Sequence, residues 1–326
     1  MSIALLIGFG CLAALLWFAA PAIVNRTRQA RLLRALRLAG AHDGLIPILI
    51  PVCDRPQYLE RVLSALALVD GIEQTLVIFS QDGDDARVSK LIADWKSVHS
   101  QSYAIRHARP YWPLHKLMPR LGLKCEFLIN ANIHALLTLA FDRMGSEWAI
   151  VLEDDLVPGP DFLRFFQSVH DQIFRDPQYD ATVLAASGWS NWDFSLPAAA
   201  VRQDETLLYA VKRAPFVCWS WAIDRKRWHL LKSYWWTYFM PWDGLVQQVR
   251  SRLRMYCLVP VISRVLNIGM VGINFGENPE RPAQHWQTQS IVDAAWHVRM
   301  NPQRRLEIDP DTTDELVYSS KRNDLR

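Results

Sequence analysis

Residues 148–155 read Trp-Ala-Ile-Val-Leu-Glu-Asp-Asp, an apolar run of strand-forming residues that ends abruptly in three carboxylates, Glu153, Asp154 and Asp155. A buried strand that delivers clustered acids to its C-terminal edge suits the holding of a divalent cation against a phosphorylated ligand. Adjacent like charges repel one another, so a fold that keeps three together gains from a cation or from solvation. Taken alone, the run fits a strand entering a solvated acidic turn equally well. The segments upstream separate the two readings.

Leu45 to Val52 is an almost continuous apolar run, as expected of a strand covered on both faces, and it stops at Cys53-Asp54-Arg55-Pro56. Pro56 suits the first position of a helix, and Leu59, Val62, Leu63 and Leu66 follow at helical spacing. A second strand, Thr75 to Ser80, ends in Gln81-Asp82-Gly83-Asp84-Asp85, after which Val88, Leu91, Ile92 and Trp95 predict another helix. Strand, polar turn and helix, twice over, predict an α/β fold with a mostly parallel, Rossmann-like sheet flanked by helices. Glu126 to Arg143 has helical periodicity and leads into the acidic strand; Pro160 to Phe174 reads as a further helix and Thr182 to Ser187 as a strand. The stretch Tyr209 to Arg254 is dense in tryptophan, which fits core and cleft wall better than a sugar platform.

The 326 residues are 50% hydrophobic, ample for a large core. Part of that content is Ile3 to Val24, which has no charged side chain and is long enough to cross a bilayer as a helix. Arg26, Arg28, Arg31, Arg34 and Arg37 follow it, whereas a cleaved signal peptide carries its positive charge before the apolar core. We therefore expect a transmembrane anchor over 1–24, a basic juxtamembrane connector over 25–44, a catalytic domain over 45–300 and a polar tail over 301–326. Five of the 36 basic residues sit in the arginine cluster; the other 31 face 33 acidic residues, so the globular part is near neutral. It lacks the concentrated basic face of a nucleic-acid binder. The positive-inside rule predicts a catalytic domain on the cytoplasmic side. Cys53, Cys125, Cys218 and Cys257 show no spacing typical of a zinc site or disulfide framework, which fits a reducing compartment.

In an open parallel sheet, ligands bind beyond the carboxyl ends of the strands. Three such ends carry polar groups here: Cys53-Asp54-Arg55, Ser80-Gln81-Asp82 and Glu153-Asp154-Asp155. Arg55 offers a planar fork of donors matched to phosphate oxygens, Asp82 can accept from a nucleobase N–H, and Asp155 can hold a cation that bridges a diphosphate. No glycine-rich phosphate loop follows the first strand, which disfavours nicotinamide-cofactor and P-loop chemistry. Individually, Arg55 before a proline, Asp82 before a glycine and Asp243 at a helix start are ordinary turn or cap residues. The occurrence of Arg55, Asp82 and the acidic cluster together at successive strand ends favours a nucleotide-sugar site, whereas Asp243 on its own reads as a cap.

The ordered set Ile46-Pro47-Ile48-Leu49, Cys53-Asp54-Arg55, Ser80-Gln81-Asp82, Val151 to Leu156, Pro160-Asp161-Phe162, Ser187-Gly188-Trp189, Trp242-Asp243 and Ile262-Ser263-Arg264 resembles glycosyltransferases of the GT-A fold. Among these it is most similar to the N-acetylglucosaminyltransferase I family, over roughly residues 45–275. The resemblance implies a manganese or magnesium ion on Asp155, with Glu153 and Asp154 near the ribose and the metal waters. It also implies a uracil contact from Asp82, a phosphate contact from Arg55, and a catalytic base at Asp243. Ser263 to Phe275 resembles the loop that orders over bound donor, which adds Ser263 and Arg264 to the donor-binding set.

The implied reaction is inverting, metal-dependent transfer of a sugar, N-acetylglucosamine first, from a UDP-sugar to a hydroxyl of a glycan or glycolipid. The chain departs from the family pattern at Asn132, which stands where the family has a histidine near the uracil, with His134 two residues on. Disulfide partners are missing as well: Cys53 is expected opposite Gly83, and Cys257 opposite Ala185. Set against the family, whose eukaryotic members work in the Golgi lumen with positive charge before the anchor, these losses and the reversed flanking charge imply a cytoplasm-facing domain of the bacterial inner-membrane type, with a luminal domain on a Golgi membrane as the alternative. His285 and His297 receive no role. The rival readings are a nucleotidyltransferase, whose basic glycine-rich loop is lacking, and a non-catalytic scaffold or carbohydrate-binding protein that keeps the fold.

Overall fold

The apolar run after Gly44 forms β1 (Ile46–Val52), and the next forms β2 (Thr75–Asp82), in which every residue is buried. Alternate side chains enter two cores: Ile48, Ile50, Val77 and Phe79 lie in one, and Leu49, Leu76 and Ile78 in the other. Both faces are covered, which is why these strands read as continuous rather than alternating apolar sequence. The computed structural model describes residues 20, 22–37, 44–109, 126–189, 207–211, 219–235, 241–260, 263–269 and 307–309.

Helix α1 spans 22–37 and precedes the sheet. α2 (Pro56–Leu66) starts on its proline and buries Leu59, Val62, Leu63 and Leu66, the four positions the spacing picks out. α3 (Ala86–Val98) is capped by Asp85, whose carboxylate accepts from the backbone N–H groups of Arg87 at 2.9 Å and Val88 at 3.0 Å. α3 returns the chain to β3 (Ser102–His107), parallel to β2, a strand whose sequence gave no expectation because its partly exposed, polar positions dilute the pattern. α4 (Glu126–Leu137) continues into a π-helical turn, Thr138–Arg143, that buries Leu139, Ala140 and Phe141 and feeds β4 (Trp148–Val151). β4 pairs in parallel with β1, as the placement of the acidic run requires.

The main sheet has nine described strands in the order β11-β7-β9-β6-β8-β4-β1-β2-β3, with β6 at Val183–Ser187, β7 at Leu207–Val211, β8 at Trp221–Asp224, β9 at Tyr256–Pro260 and β11 at Glu307–Asp309. Five of its eight pairings are parallel, so the fold is mixed α/β with a mostly parallel sheet; β8 runs antiparallel between β4 and β6. Trp221 and Trp228 are fully buried, and Trp235 and Trp242 nearly so, so the aromatic stretch is core where it is described. α5 (Phe162–Val169) supplies Phe162, Leu163, Phe165 and Phe166 to one core. α6 (Arg225–Lys232) and α7 (Trp242–Leu253) cover the other. A small second sheet pairs β5 (Leu156–Pro158) with β10 (Val265–Asn267).

Two segments differ from the sequence reading. The region 301–326, read as a polar tail, supplies β11, which pairs in parallel with β7. A three-residue edge strand is held through its backbone and needs no apolar run to announce it. Within 25–44, read as a connector, α1 packs on the domain and buries Leu32 and Leu36 with Gln29. Residues 1–19, most of the expected anchor, lie outside the described residues, as do 270–275 of the expected donor loop and both His285 and His297. Among the described residues, no helix is long and apolar enough to cross a membrane.

Candidate active site

β4 stops at Val151, and Glu153, Asp154 and Asp155 occupy the turn that leads from it into β5, closed by a hydrogen bond from Leu156 N–H to the Glu153 carbonyl at 3.2 Å. Arg55, just beyond the C-terminal end of the neighbouring β1, bridges two of these acids. Its Nη1 donates to Asp155 Oδ2 at 2.5 Å and its Nη2 to Asp154 Oδ1. Residues 100 positions apart are thus joined at one strand edge.

The charge balance there is unequal, with three carboxylates facing one guanidinium. Burial, with Asp155 adding to it, pushes the Glu153 carboxyl well above its usual range, and the nearby Asp243 contributes in the same direction. Burial likewise lifts Asp154 to about 7, against the pull of Arg55. For Arg55, burial works against its charge, but Asp154 and Asp155 outweigh it and hold the cation. A turn of hard carboxylate oxygens under mutual repulsion fits a divalent cation such as Mn2+ or Mg2+. Among the described residues, no group of three or more His, Cys, Asp or Glu side chains is arranged to hold a metal by itself.

The backbone of the segment after Arg264 closes over Asp155. Ile268 N–H donates to the Asp155 carbonyl at 2.9 Å, and a Cβ on Gly269 would overlap Asp155 Oδ2. Gly269→Ala is therefore expected to displace that carboxylate. The Mn2+ concentration for half-maximal activity should rise by roughly three- to tenfold, about 1 kcal/mol, while the melting temperature stays within a few degrees. Unchanged metal dependence in a metal titration would remove Gly269 from the site.

The second corner is built at the ends of β2 and β3, where Asp82 and His107 are register partners. Arg109 Nε donates to Asp82 Oδ1 at 2.8 Å, its Nη2 donates to the Asp82 carbonyl at 3.2 Å, and His107 Nδ1 stands 3.7 Å from the same carboxylate. Burial alone would raise the Asp82 carboxyl, yet His107 and Arg109 outweigh it and hold it below the usual carboxylate range. Asp82 is thus kept as an acceptor, the state a base N–H requires.

Neither His107 nor Arg109 was singled out from the sequence. The signal was present as a third strand end with polar residues, His107-Ala108-Arg109, hidden by the weak pattern of β3. Arg109 also donates to Cys53 Sγ at 3.5 Å, and its Nη2 lies 2.9 Å from where a Cβ of Gly83 would stand. Gly83 has φ +104, so a side chain there is excluded by backbone and by space alike. An arginine thus fills the gap opposite Cys53 where a partner cysteine was looked for. Cys257 faces Ala185 across the β6–β9 ladder, as expected, and both Cys53 and Cys257 are free thiols.

The remaining sequence candidates divide. Asp243 stands half-buried in the first turn of α7, accepts from Gly244 N–H at 2.8 Å, and follows Trp242, which stacks on Trp221 at 5.3 Å. Asn132 is buried beneath the edge, where it accepts from Ser80 Oγ and donates to the Ser80 carbonyl at 3.1 Å, so it braces β2. His134 packs among Trp228 and Trp235, where burial drives its pKa down to about 4. Arg264, expected on the donor, is 1% exposed and donates to Asp161 Oδ2 at 2.6 Å; its N–H donates to the Gly188 carbonyl at 2.6 Å. Ser263 is buried beside it. Arg264 thus ties the start of the segment over Asp155 to Asp161, Gly159 and Gly188.

With Arg55, Asp82, Asp155 and Asp243 assigned to one strand edge or its approach, comparison with known proteins supplies the family. The GNT-I family model matches residues 25–286. The chain belongs to the GNT-I family. An α-1,3-mannosyl-glycoprotein 2-β-N-acetylglucosaminyltransferase from Arabidopsis thaliana is 25% identical over 242 residues, which are 73% of this chain and 50% of that enzyme. The chain thus spans about half the length of this curated relative. Among solved structures, glucosyl-3-phosphoglycerate synthase from Mycobacterium tuberculosis, in complex with Mn2+, UDP and phosphoglyceric acid, is similar over 81% of this chain and 82% of its own, at 14% identity and a TM-score of 0.41. A mannosyltransferase from Pyrobaculum calidifontis, in complex with GDP-Man and Mn2+, is similar over 94% of this chain and 91% of its own, at 12% identity and a TM-score of 0.41. Likenesses this loose say nothing of what a GNT-I family member such as this one binds.

Proposed function

We propose that this GNT-I family chain is a metal-dependent inverting glycosyltransferase that moves N-acetylglucosamine from a UDP-sugar to a hydroxyl of a glycan or glycolipid. The observation that carries the reading is Arg55 bridging Asp154 and Asp155 at the sheet edge, beside an Asp82 held ionised by His107 and Arg109. The donor sugar is supported by the N-acetylglucosaminyltransferase activity for which the Arabidopsis relative is named. The metal is supported by the excess of carboxylate over guanidinium in the acidic turn.

Asp82 accepts from the uracil N–H, and Arg55 turns its fork to the diphosphate. Transfer forms a bond from the acceptor oxygen to the anomeric carbon as the bond from that carbon to the β-phosphate oxygen breaks, and the acceptor proton passes to Asp243. Inversion needs one such base on the face opposite the leaving group. Arg55 stabilises negative charge as it builds on the departing UDP. When bound to Asp155, Mn2+ or Mg2+ supplies Lewis-acid stabilisation of the same phosphate oxygens.

The arginines that follow the apolar stretch, together with the free Cys53 and Cys257, support a membrane-anchored enzyme whose catalytic domain faces the cytoplasm. UDP release measured across a panel of sugar nucleotides, with Mn2+ and with a chelator, tests the reading. The highest rate is expected from UDP-N-acetylglucosamine, falling at least a hundredfold on chelation. Rates untouched by chelation, or a preference for a non-uridine donor, would overturn it.

A further inference from the structure

The apolar stretch Ile3–Val24 overlaps α1 in sequence, since residues 22–24 belong to both. α1 is fixed to the domain within its first turns. Asn25 Nδ2 donates to the Ala108 carbonyl at 3.1 Å and its Oδ1 accepts from Ala108 N–H at 2.7 Å, a two-way grip on one peptide unit. Arg28 donates to the Arg106 carbonyl and Gln29 to the Ala135 carbonyl at 3.0 Å, after which Leu32 and Leu36 enter the core.

As the helix numbers rise from 25 to 28, the strand numbers fall from 108 to 106, so α1 runs antiparallel to β3. Its first turn therefore stands at the C-terminal edge of β3, one residue from both His107 and Arg109, which hold Asp82. The opposite side of α1 is exposed at Arg26, Arg31, Arg34 and Arg37, and at its start Ile23 and Val24 are 59% and 39% exposed. Apolar side chains exposed at a helix start, followed by a cationic face, match the interior and the anionic headgroups of a bilayer in that order.

From this geometry we infer that the donor edge of the sheet faces the membrane surface, and that the acceptor is a saccharide carried on a lipid in that membrane. The inference rests on the donor-site reading above and narrows its acceptor. Because residues 22–24 belong both to the apolar stretch and to the helix that grips Ala108, an apolar stretch held in a bilayer keeps the donor edge close to its surface. A lipid-borne sugar is presented where Asp243 and Asp155 lie, whereas a soluble glycan would have to enter between protein and bilayer.

The full chain in phosphatidylglycerol–phosphatidylcholine vesicles with a headgroup-level lipid quencher tests the orientation. A fluorescent amino acid is placed at Asp84, on the donor edge beside the start of α3, or at Val98, which is 74% exposed at the other end of that helix. Quenching is expected to be severalfold stronger at 84 than at 98; equal or reversed quenching overturns the inference. In the same vesicles, transfer from UDP-N-acetylglucosamine is compared between hexoses on long alkyl chains in the bilayer and their methyl glycosides in solution. At least a tenfold preference for the bilayer set is expected, and it should vanish in detergent; equal rates, or transfer only to the methyl glycosides, overturn the acceptor class while leaving the donor reading intact. A chain that neither binds nor turns over a UDP-sugar fails the donor reading itself, and the quenching contrast still decides the orientation.

Discussion

Asp155→Ala is expected to lower sugar transfer about a thousandfold, the effect of losing roughly 4 kcal/mol of charge stabilisation at the leaving phosphate. The same substitution should leave the fold as stable as before, or stabilise it. Asp155 is the second contributor, after burial, to the strain on Glu153, and it adds to the strain on Asp154, so its removal relieves repulsion. Arg55 keeps its bond to Asp154 in the variant. A residue that served only the turn would behave in the opposite way, losing stability and sparing the rate. Initial rates of UDP release at saturating Mn2+, set beside thermal melting, separate the two. A variant with full activity and a lowered melting temperature would assign Asp155 to structure alone.

Asp243→Asn is expected to cost about a hundred- to ten-thousandfold in turnover, the usual contribution of a general base, with the donor KM unchanged. Asparagine keeps the oxygen that accepts from Gly244 N–H, so the first turn of α7 should stay formed and stability should move by less than about 1 kcal/mol. Trp242, stacked on Trp221, anchors that turn independently of residue 243. The charge of Asp243 is the smallest of the contributions that raise the Glu153 carboxyl. Steady-state kinetics with the donor varied and the acceptor fixed supply the measurement. Wild-type turnover in this variant would leave Asp243 as a helix-start residue and nothing more.

Legibility in the sequence followed burial. β1, β2 and β4 announce themselves because both faces of the central strands are covered, and α2 because four apolar residues sit on one helical stripe. β3 and β11 lie at the sheet edges, where backbone pairing suffices and side chains are free to be polar, so their sequences are silent. β8 is buried throughout, but it lies inside a tryptophan-rich stretch with no period to mark its limits.

That Arg55, Asp82 and Asp155 stand at neighbouring strand ends was readable from the apolar runs that precede them. Arg109 was hidden behind a strand that was itself unread, and its insertion beside Gly83 depends on an absent side chain and a positive φ that residue identity alone does not reveal. Arg264 shows the converse. Its place in the donor set came from the resemblance of segment 263–275 to a donor-covering loop, whereas the structure buries it on Asp161. Helix 22–37 was read as basic and membrane-proximal from its arginines, whereas its grip on Ala108 comes from Asn25, a residue with no pattern around it.

The measurement that bears most directly on the central claim is calorimetric titration of the full chain with UDP, in the presence and absence of Mn2+. A nucleotide diphosphate held jointly by Asp82, Arg55 and a cation on Asp155 should bind at least about tenfold more tightly with the metal, a gain of roughly 1.4 kcal/mol or more, and Asp155→Ala should erase that gain. Equal affinity with and without Mn2+, or a metal effect that survives Asp155→Ala, would contradict the account.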